Sequence, residues 1–314
     1  MKFLVPLVFA AFLVGCATAP APDIAPVQPL PPSQPVTPAF VKIPPRLGLA
    51  LGGGAARGFA HVGVIQVLEE AGIRPDLVAG TSAGSLVAAI YASGKTGSQL
   101  QRVAETMEEA TIADWTVPLF NRGVLRGDAL ARYVNAQVGS RLIEDMHLPL
   151  GIVATDLNSG RDVLFQRGDT GTAVRASSAV PGVFQPVRIS GRDYVDGGLV
   201  SPVPVRAARK MGAELVIAVD ISSPPDGNLA GGTLDVLLQT FSIMGMSINT
   251  FELQDADVVV RPSLNGIASS DFSSRKRSID AGRKAMIQAM PQLRAAIAAK
   301  TRQIAAANWV LISR

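Results

Sequence analysis

The sequence predicts a protein of the α/β class. Its 314 residues include 30 glycines but only 5% aromatic residues, a balance that suits tight turns and small-residue packing better than an all-β sandwich. Two segments also show a short apolar strand, a glycine-rich turn and a helix in direct succession. The length allows one large domain with a substantial core.

The first 45 residues are predicted to lie outside the folded domain. Lys2 and the apolar run 3–14 are typical of a secretory signal peptide, and the run is too short to span a bilayer. The motif Leu13-Val14-Gly15-Cys16 resembles the lipobox of bacterial lipoproteins. This resemblance implies a signal peptide over residues 1–15 and lipidation of Cys16, although an ordinary signal peptide with an incidental cysteine is the alternative. The prolines of residues 16–45 predict an extended tether.

The lipobox also predicts partners and location. It implies a lipid-anchored protein of the bacterial cell envelope, and Ala17 favours the periplasmic face of the outer membrane in an organism that has one.

No nucleic acid is expected, because the chain has neither zinc-ligand spacing nor a basic face with interleaved aromatics. The net charge is only +4, and its densest basic cluster, residues 275–277, fits either a solvated surface or a contact with anionic head groups.

The first strand–loop–helix unit begins the predicted domain. A buried strand over 47–51 leads into the glycine loop Gly52–Gly58, and a helix follows over 59–70. Such a loop binds either a nucleotide phosphate or the oxyanion of an acyl-transfer intermediate. A P-loop needs Lys-Ser/Thr after its glycines, where this chain has Arg57-Gly58, and neither possible register fits the Rossmann fingerprint.

The second unit carries the predicted nucleophile. A strand over 77–79 leads into Gly80-Thr81-Ser82-Ala83-Gly84, and a helix follows over 85–92. A Gly-x-Ser-x-Gly motif between a strand and a helix is a nucleophile elbow. Its glycines are needed because the serine lies in a sharp, strained turn. Ser82 is therefore predicted to be the catalytic nucleophile.

A carboxylate is the predicted base for Ser82. The α/β-hydrolase order requires a histidine late in the chain, and no histidine follows Asp196. His61 is interpreted as a packing residue of the first helix, and His147 as a linker residue. Asp196-Gly197-Gly198 follows a hairpin-like stretch over 187–194. On its own this motif would be a plain turn, but beside the elbow it predicts Asp196 as general base.

Together the three motifs resemble the bacterial branch of the patatin-like phospholipase family, over residues 46–290. The resemblance implies a three-layer α/β/α fold with a mainly parallel central sheet. It also implies a Ser82–Asp196 dyad without a catalytic histidine, and neither cofactor nor metal. The amides of Gly53 and Gly54 would form the oxyanion hole, with Arg57 holding the loop. The remaining motif glycines would support these turns: Gly52, Gly58, Gly80, Gly84, Gly197 and Gly198.

One residue departs from the family pattern. The bacterial loop usually reads Gly-Gly-Gly-Gly-Ala-Arg-Gly, and Ala55 occupies the place of the fourth glycine. Alanine fits if its φ angle is negative, whereas a positive φ would strain the loop.

The remaining elements complete the predicted domain. Helices are expected over 128–138, 203–211 and 234–249, strands over 150–154, 163–165 and 215–219, and a last strand over 258–260. Met244 and Met246 predict core packing, or alternatively a lid or acyl-chain groove. A helix over 279–307, interrupted at Pro291, makes residues 291–314 a C-terminal helical extension.

Together with these motifs, the family resemblance implies a lipid acyl-hydrolase that cleaves ester bonds of phospholipids or related lipids. A non-catalytic envelope lipoprotein that uses the fold as a binding scaffold is the alternative, and a nucleotide-binding protein is a third. Substitution of His61 or His147 is expected to spare activity if folding is unharmed.

Overall fold

A mainly parallel sheet forms the centre of the computed structural model, which describes residues 40–108, 114, 123–222 and 233–305. Nearly all of these belong to one unit, residues 41–304. The strands are β1 (Phe40–Ile43), β2 (Leu47–Leu51), β3 (Leu77–Thr81), β4 (Gly123–Leu125), β5 (Leu150–Asp156), β6 (Asp162–Phe165), β7 (Gly182–Phe184), β8 (Val187–Ile189), β9 (Arg192–Asp196), β10 (Leu215–Val219), β11 (Val258–Val260) and β12 (Arg302–Ala305).

The α-helices lie between and after these strands. They are α1 (Ala60–Glu70), α2 (Ala83–Ala92), α3 (Gly97–Thr106), α4 (Asp128–Val138), α5 (Thr170–Ser177), α6 (Val205–Lys210), α7 (Thr233–Glu252) and α8 (Arg275–Lys300). No helix within the described part of the chain combines the length and apolar character needed to cross a membrane.

The main sheet has the strand order β11-β10-β2-β3-β5-β9-β8, and β6 also pairs with β5. The strands from β11 to β5 run parallel, whereas β6 and β9 run antiparallel to β5 and β8 runs antiparallel to β9. Every residue of β2, β3 and β10 is buried. Continuous apolar strands of this kind are typical of parallel sheets covered on both faces.

The alternation along β2 separates two cores. Leu47, Leu49 and Leu51 belong to one core, which includes residues of α1, α2 and α8, whereas Ala50 belongs to a second core with residues of α6. Helices therefore cover both faces of the sheet, which confirms the predicted α/β/α layers and the mainly parallel sheet.

Helices α1 and α8 pack with their backbones in close contact. A Cβ at Gly63 would lie 2.0 Å from the carbonyl oxygen of Ile279, and a Cβ at Gly282 would lie 2.0 Å from that of Ala60. Only glycine permits this approach, so the position of α1 against α8 is tightly defined.

The predicted domain ends need correction. The signal peptide, Cys16 and the tether up to residue 39 lie outside the described residues, as does the tail 306–314. Residues 40–43, predicted to be part of the tether, form strand β1. This strand pairs with β12, which follows 258–260, the last strand expected from the sequence. The predicted break at Pro291 is wrong, because α8 continues through it and buries Leu293. Pro291 faces solvent, where the carbonyl that it leaves unpaired can bind water.

Helix α7 exposes an apolar surface. Ile243, Met244 and Met246 are 50%, 47% and 36% exposed, and Phe251 is 65% exposed. Core packing of the two methionines, the plainer sequence interpretation, is therefore wrong. The inner side of α7 lies against the Asp196 turn, since a Cβ at Gly198 would approach the Phe241 ring at 3.1 Å.

Candidate active site

Ser82 lies in a strained turn between β3 and α2. Its backbone angles are φ 51° and ψ −125°, a conformation that few residues other than glycine adopt. A Cβ at Gly80 would lie 2.5 Å from the carbonyl oxygen of Gly84, and a Cβ at Gly84 would lie 2.0 Å from that of Leu51. Both flanking glycines are thus sterically required, as the elbow motif predicts.

A buried serine outside the sequence motifs supports this turn. The amide of Ser82 donates to Oγ of Ser177 at 2.8 Å, and the Ser177 hydroxyl donates to the carbonyl of Val153 at 2.5 Å. Ser177 ends α5 and is fully buried. It therefore ties the strained amide to the neighbouring strand β5. Sequence reasoning missed this role, because only the folded chain brings residue 177 next to residue 82.

The sheet register brings Asp196 to the level of Ser82. Thr81 pairs with Val153 on β5, so the next residue, Ser82, lies level with Ala154, and Ala154 pairs with Asp196 on β9. Two strand spacings, roughly 10 Å between backbones, separate the two residues. Their side chains can meet across this gap, which brings the predicted nucleophile and base together.

Two glycines shape the turn after Asp196. A Cβ at Gly197 would lie 2.3 Å from the carbonyl oxygen of Val153, so the turn lies directly against β5. The amide of Gly198 donates to Oδ1 of Asp196 at 2.7 Å, and Oγ1 of Thr155 donates to the Asp196 carbonyl at 2.8 Å. These contacts fix the carboxylate and leave its second oxygen available.

The environment of Asp196 makes its carboxylate a stronger base. The residue is 1% exposed, and burial raises its pKa from 3.8 to about 6, against the lowering effects of the Gly198 amide and the nearby Ser82 hydroxyl. Oδ2 has no hydrogen-bond partner among the described residues. The Ser82 hydroxyl is thus a close neighbour without a well-formed hydrogen bond, a state common before substrate binds.

The glycine loop lies beside Ser82. A Cβ at Gly53 would lie 3.1 Å from Cβ of Ser82, and one at Gly58 would lie 2.9 Å from Cβ of Ala83. The Gly52 amide donates to the carbonyl of Val219 at 3.1 Å, which anchors the start of the loop to β10. The loop therefore has the proximity to Ser82 that its predicted role in an oxyanion hole requires.

The Gly53 amide differs from its predicted role. It donates to the carbonyl of Pro202 at 2.9 Å and is therefore not free to bind an oxyanion in this conformation. The reason is that the chain following Asp196 returns across the loop, a contact that lies outside the sequence motif. The amides of Gly54 and Ala55 make no hydrogen bond to another described residue, so they are the open donors of this loop.

Arg57 orients one of these two open amides, that of Ala55. Its amide and its Nε both donate to the carbonyl of Gly54, at 3.2 and 3.4 Å. Because the carbonyl and N–H of a trans peptide point in opposite directions, this contact turns the Ala55 amide away from Arg57. The Ala83 amide, at the N-terminus of α2, is a third donor without a described partner.

Ala55 has the positive φ angle that would strain the glycine loop. Its φ angle is 49°, in the left-handed region that favours glycine, and its methyl group is exposed. The loop therefore adopts a conformation that favours glycine, with an alanine in that place.

We expect Ala55→Gly to raise the free energy of unfolding by about 0.5–1 kcal/mol, because relief of the left-handed strain outweighs the added chain entropy of glycine. Urea denaturation measures this change. Ala56→Gly is the matched control: Ala56 is buried without a positive φ, so its replacement should lower stability. A less stable Ala55→Gly protein would show that the loop is unstrained.

The two histidines take different positions. His61 is fully buried, and its Nε2 lies 2.8 Å from the carbonyl oxygen of Gly52. Burial lowers its pKa to about 4, so the ring is neutral at ordinary pH. His147 is exposed and packs beside Gly94, past the far end of α2. That helix of 10 residues puts it roughly 15 Å from Ser82.

An apolar cavity of about 330 Å³ opens at Ser82. Its wall is formed by the glycine loop, by apolar side chains of α1, α2, α3 and α4, and by β4 and β7. Side chains of this wall include Phe59, Leu86, Leu100, Val103, Met107 and Leu130. No group of three or more His, Cys, Asp or Glu side chains suited to a metal ion occurs in the described part of the chain.

The chain matches the patatin-like phospholipase family over residues 49–209, a range that contains all three motifs. It is 39% identical over 184 residues to an uncharacterized NTE family protein of Mycobacterium tuberculosis, covering 58% of this chain and 51% of that protein. It is 36% identical over 192 residues to mouse patatin-like phospholipase domain-containing protein 6, covering 59% of this chain and 14% of that protein. The chain thus spans about half or less of the length of these relatives.

A solved structure shows the same fold. The crystal structure of VipD from Legionella pneumophila superposes with a TM-score of 0.55 at 14% identity, covering 84% of this chain and 69% of VipD. The family match and the shared fold agree with the site geometry. The chain belongs to the patatin-like phospholipase family.

Proposed function

We propose that this protein is a serine acyl-hydrolase that cleaves acyl esters of phospholipids or related lipids. One observation carries the proposal: Ser82, in a strained elbow, lies between a buried carboxylate with a free oxygen and an apolar cavity. Lipid acyl hydrolysis is also the activity implied by membership of the family.

Acylation uses both members of the dyad. Oγ of Ser82 attacks the ester carbonyl carbon while its proton passes to Oδ2 of Asp196. The negative charge that develops on the carbonyl oxygen is stabilised by the amides of Gly54 and Ala55. The intermediate then expels the alcohol oxygen, which takes the proton from Asp196, and the acyl group stays on Ser82.

Deacylation repeats the proton transfers with water. Asp196, again ionised, removes a proton from a water molecule that attacks the acyl carbon. The second intermediate releases the fatty acid and returns the proton to Ser82. Each turnover thus consumes one water and forms one acid and one alcohol.

The cavity indicates where the acyl chain binds. At about 30 Å³ for a group the size of a water molecule, a volume of 330 Å³ holds a chain of roughly ten methylenes. Because each buried methylene contributes about 0.8 kcal/mol, kcat/KM should rise about fourfold per added methylene and level off near ten carbons.

A series of p-nitrophenyl esters from C2 to C16 measures this profile, with Ser82→Ala as the blank. A rising and then level profile supports acyl binding in the cavity. Equal rates for C2 and C10 would mean that the cavity does not receive the acyl chain. Absence of turnover for the whole series and for phospholipid vesicles would remove the proposed function itself.

We further propose that Cys16 carries a lipid and anchors the protein in the bacterial cell envelope. The lipobox resemblance supports this proposal. Growth of cells with labelled palmitate should label the wild-type protein and not Cys16→Ser. An unlabelled wild-type protein would contradict the anchor, without bearing on the hydrolase site.

A further inference from the structure

The side chain of His61, on α1, contacts the glycine loop Gly52–Gly58. Its side chain is fully buried on α1, and Nε2 lies 2.8 Å from the carbonyl oxygen of Gly52. Since a carbonyl oxygen only accepts, Nε2 must carry the proton and donate it. The imidazole is therefore a fixed hydrogen-bond donor to the loop that faces Ser82.

The peptide between Gly52 and Gly53 is held from both sides. His61 binds its carbonyl oxygen, and the carbonyl of Pro202 accepts its N–H at 2.9 Å. The oxygen and the N–H of a trans peptide point in opposite directions, so these two contacts fix the rotation of the plane. This plane lies against the nucleophile, since the Gly53 Cβ position is 3.1 Å from Cβ of Ser82.

The next two amides along the chain are the open donors, those of Gly54 and Ala55. The Gly54 amide lies one residue beyond this fixed plane, and the Arg57 contact to the Gly54 carbonyl sets the direction of the Ala55 amide. Helix α1, which carries His61, is held in place, because the close contacts of Ala60 and Gly63 with α8 leave the helix no room to shift.

We propose that His61 is a positioning residue that aims the open amides of the glycine loop at the Ser82 oxyanion. The inference rests on the proposed hydrolase function. His61 acts through the Gly52 carbonyl and does not exchange protons with substrate.

The chemistry of the ring excludes a role as base. The Nε2 proton is committed to Gly52, and Nδ1, fully buried, has no hydrogen-bond partner among the described residues. His61 does not line the cavity at Ser82. Proton acceptance from Ser82 therefore stays with Asp196.

A matched pair of amide variants tests the inference in the full chain, purified in detergent. The amide nitrogen of Gln occupies the place of Nε2 in histidine and can reach the Gly52 carbonyl, whereas that of Asn, nearer the backbone, cannot. Contrary to the expectation from sequence that substitution of His61 spares activity, His61→Asn should lower kcat about 100-fold with KM within threefold, the effect of a misplaced oxyanion donor. His61→Gln should recover kcat to within about fivefold of the wild type.

The pH profile distinguishes positioning from base catalysis. Both variants should keep the wild-type midpoint of kcat/KM against pH, because that midpoint belongs to Asp196. Equal kcat in the Asn and Gln variants, a loss confined to KM, or a displaced midpoint would each overturn the inference. A wild type without esterase activity would remove the proposed function instead.

A second measurement does not depend on the variants folding. ¹⁵N-edited NMR of the wild-type imidazole should show a neutral ring with its proton on Nε2, unchanged from pH 8 to pH 5. A proton on Nδ1, or titration of the ring near pH 6.5, would overturn the inference even if neither variant folds.

Discussion

Replacing Ser82 with alanine is expected to lower kcat for ester hydrolysis by about 10⁶-fold, to the level of the blank. Loss of the nucleophile removes the covalent path entirely, and in a comparable catalytic unit the loss of the nucleophile alone costs about as much as the loss of every member. Alanine at φ 51° carries about the same strain as serine. The supporting hydrogen bond to Ser177 uses the backbone amide and is retained, so the free energy of unfolding should stay within about 1 kcal/mol.

Steady-state hydrolysis and labelling by a fluorophosphonate measure this effect. Ser178 is the matched control, because it also lines the cavity but makes no described side-chain hydrogen bond. Ser178→Ala should keep activity within a few-fold and should still be labelled. Residual activity of folded Ser82→Ala above one hundredth of the wild type would assign the nucleophile elsewhere.

Replacing Asp196 with asparagine is expected to lower kcat by about 10²- to 10⁴-fold, the contribution of a positioned general base. The amide keeps the shape of the carboxylate and can still accept from Gly198, but it cannot take the Ser82 proton. In the wild type, kcat/KM should rise with pH through a midpoint near 6, where Asp196 ionises. A wild-type profile flat from pH 4 to 8 would exclude Asp196 as the titrating base.

The same substitution should stabilise the fold at high pH. The pKa of Asp196 is about 6 in the folded state and 3.8 when exposed. The stability contributed by the buried, protonated Asp196 carboxyl is therefore fully present below pH 3.8. It is lost as the pH rises through 6, because ionisation then leaves a costly charge buried in the fold. A shift of about two units corresponds to about 3 kcal/mol.

Asparagine has no charge to bury, so Asp196→Asn should be more stable than the wild type by up to about 3 kcal/mol at pH 8, and equally stable below pH 4. Urea denaturation at both pH values measures the difference. A variant that is less stable at pH 8 would show that the ionised carboxylate is well compensated in its site.

The sequence was informative where local rules act. Gly80 and Gly84 around Ser82 have a steric reason visible in the pattern, and the uniform apolar segments of β2 and β10 predict buried strands. The parallel arrangement of these strands was predicted from the family resemblance. Asp196 was found by elimination, since no histidine follows it. The order of the three motifs made the site predictable before its geometry was known.

The parts that the sequence did not predict depend on contacts between distant segments. The carbonyl oxygen that accepts a hydrogen bond from the Gly53 amide belongs to Pro202, and the serine whose hydroxyl accepts from the Ser82 amide is Ser177. Neither belongs to a local pattern. The sign of φ at Ala55 also follows from the loop as a whole. The exposure of Met244 could not be predicted, because apolar helices can be either buried or partly exposed.

The position of β2 inside the sheet, between β10 and β3, affects the order in which the protein can fold. β2 pairs with β3, made shortly after it, but its other edge pairs with β10. During synthesis that apolar edge stays unpaired until residues 215–219 have emerged, and contacts so distant in sequence form slowly. Until then this open edge is available for association with strands of other chains.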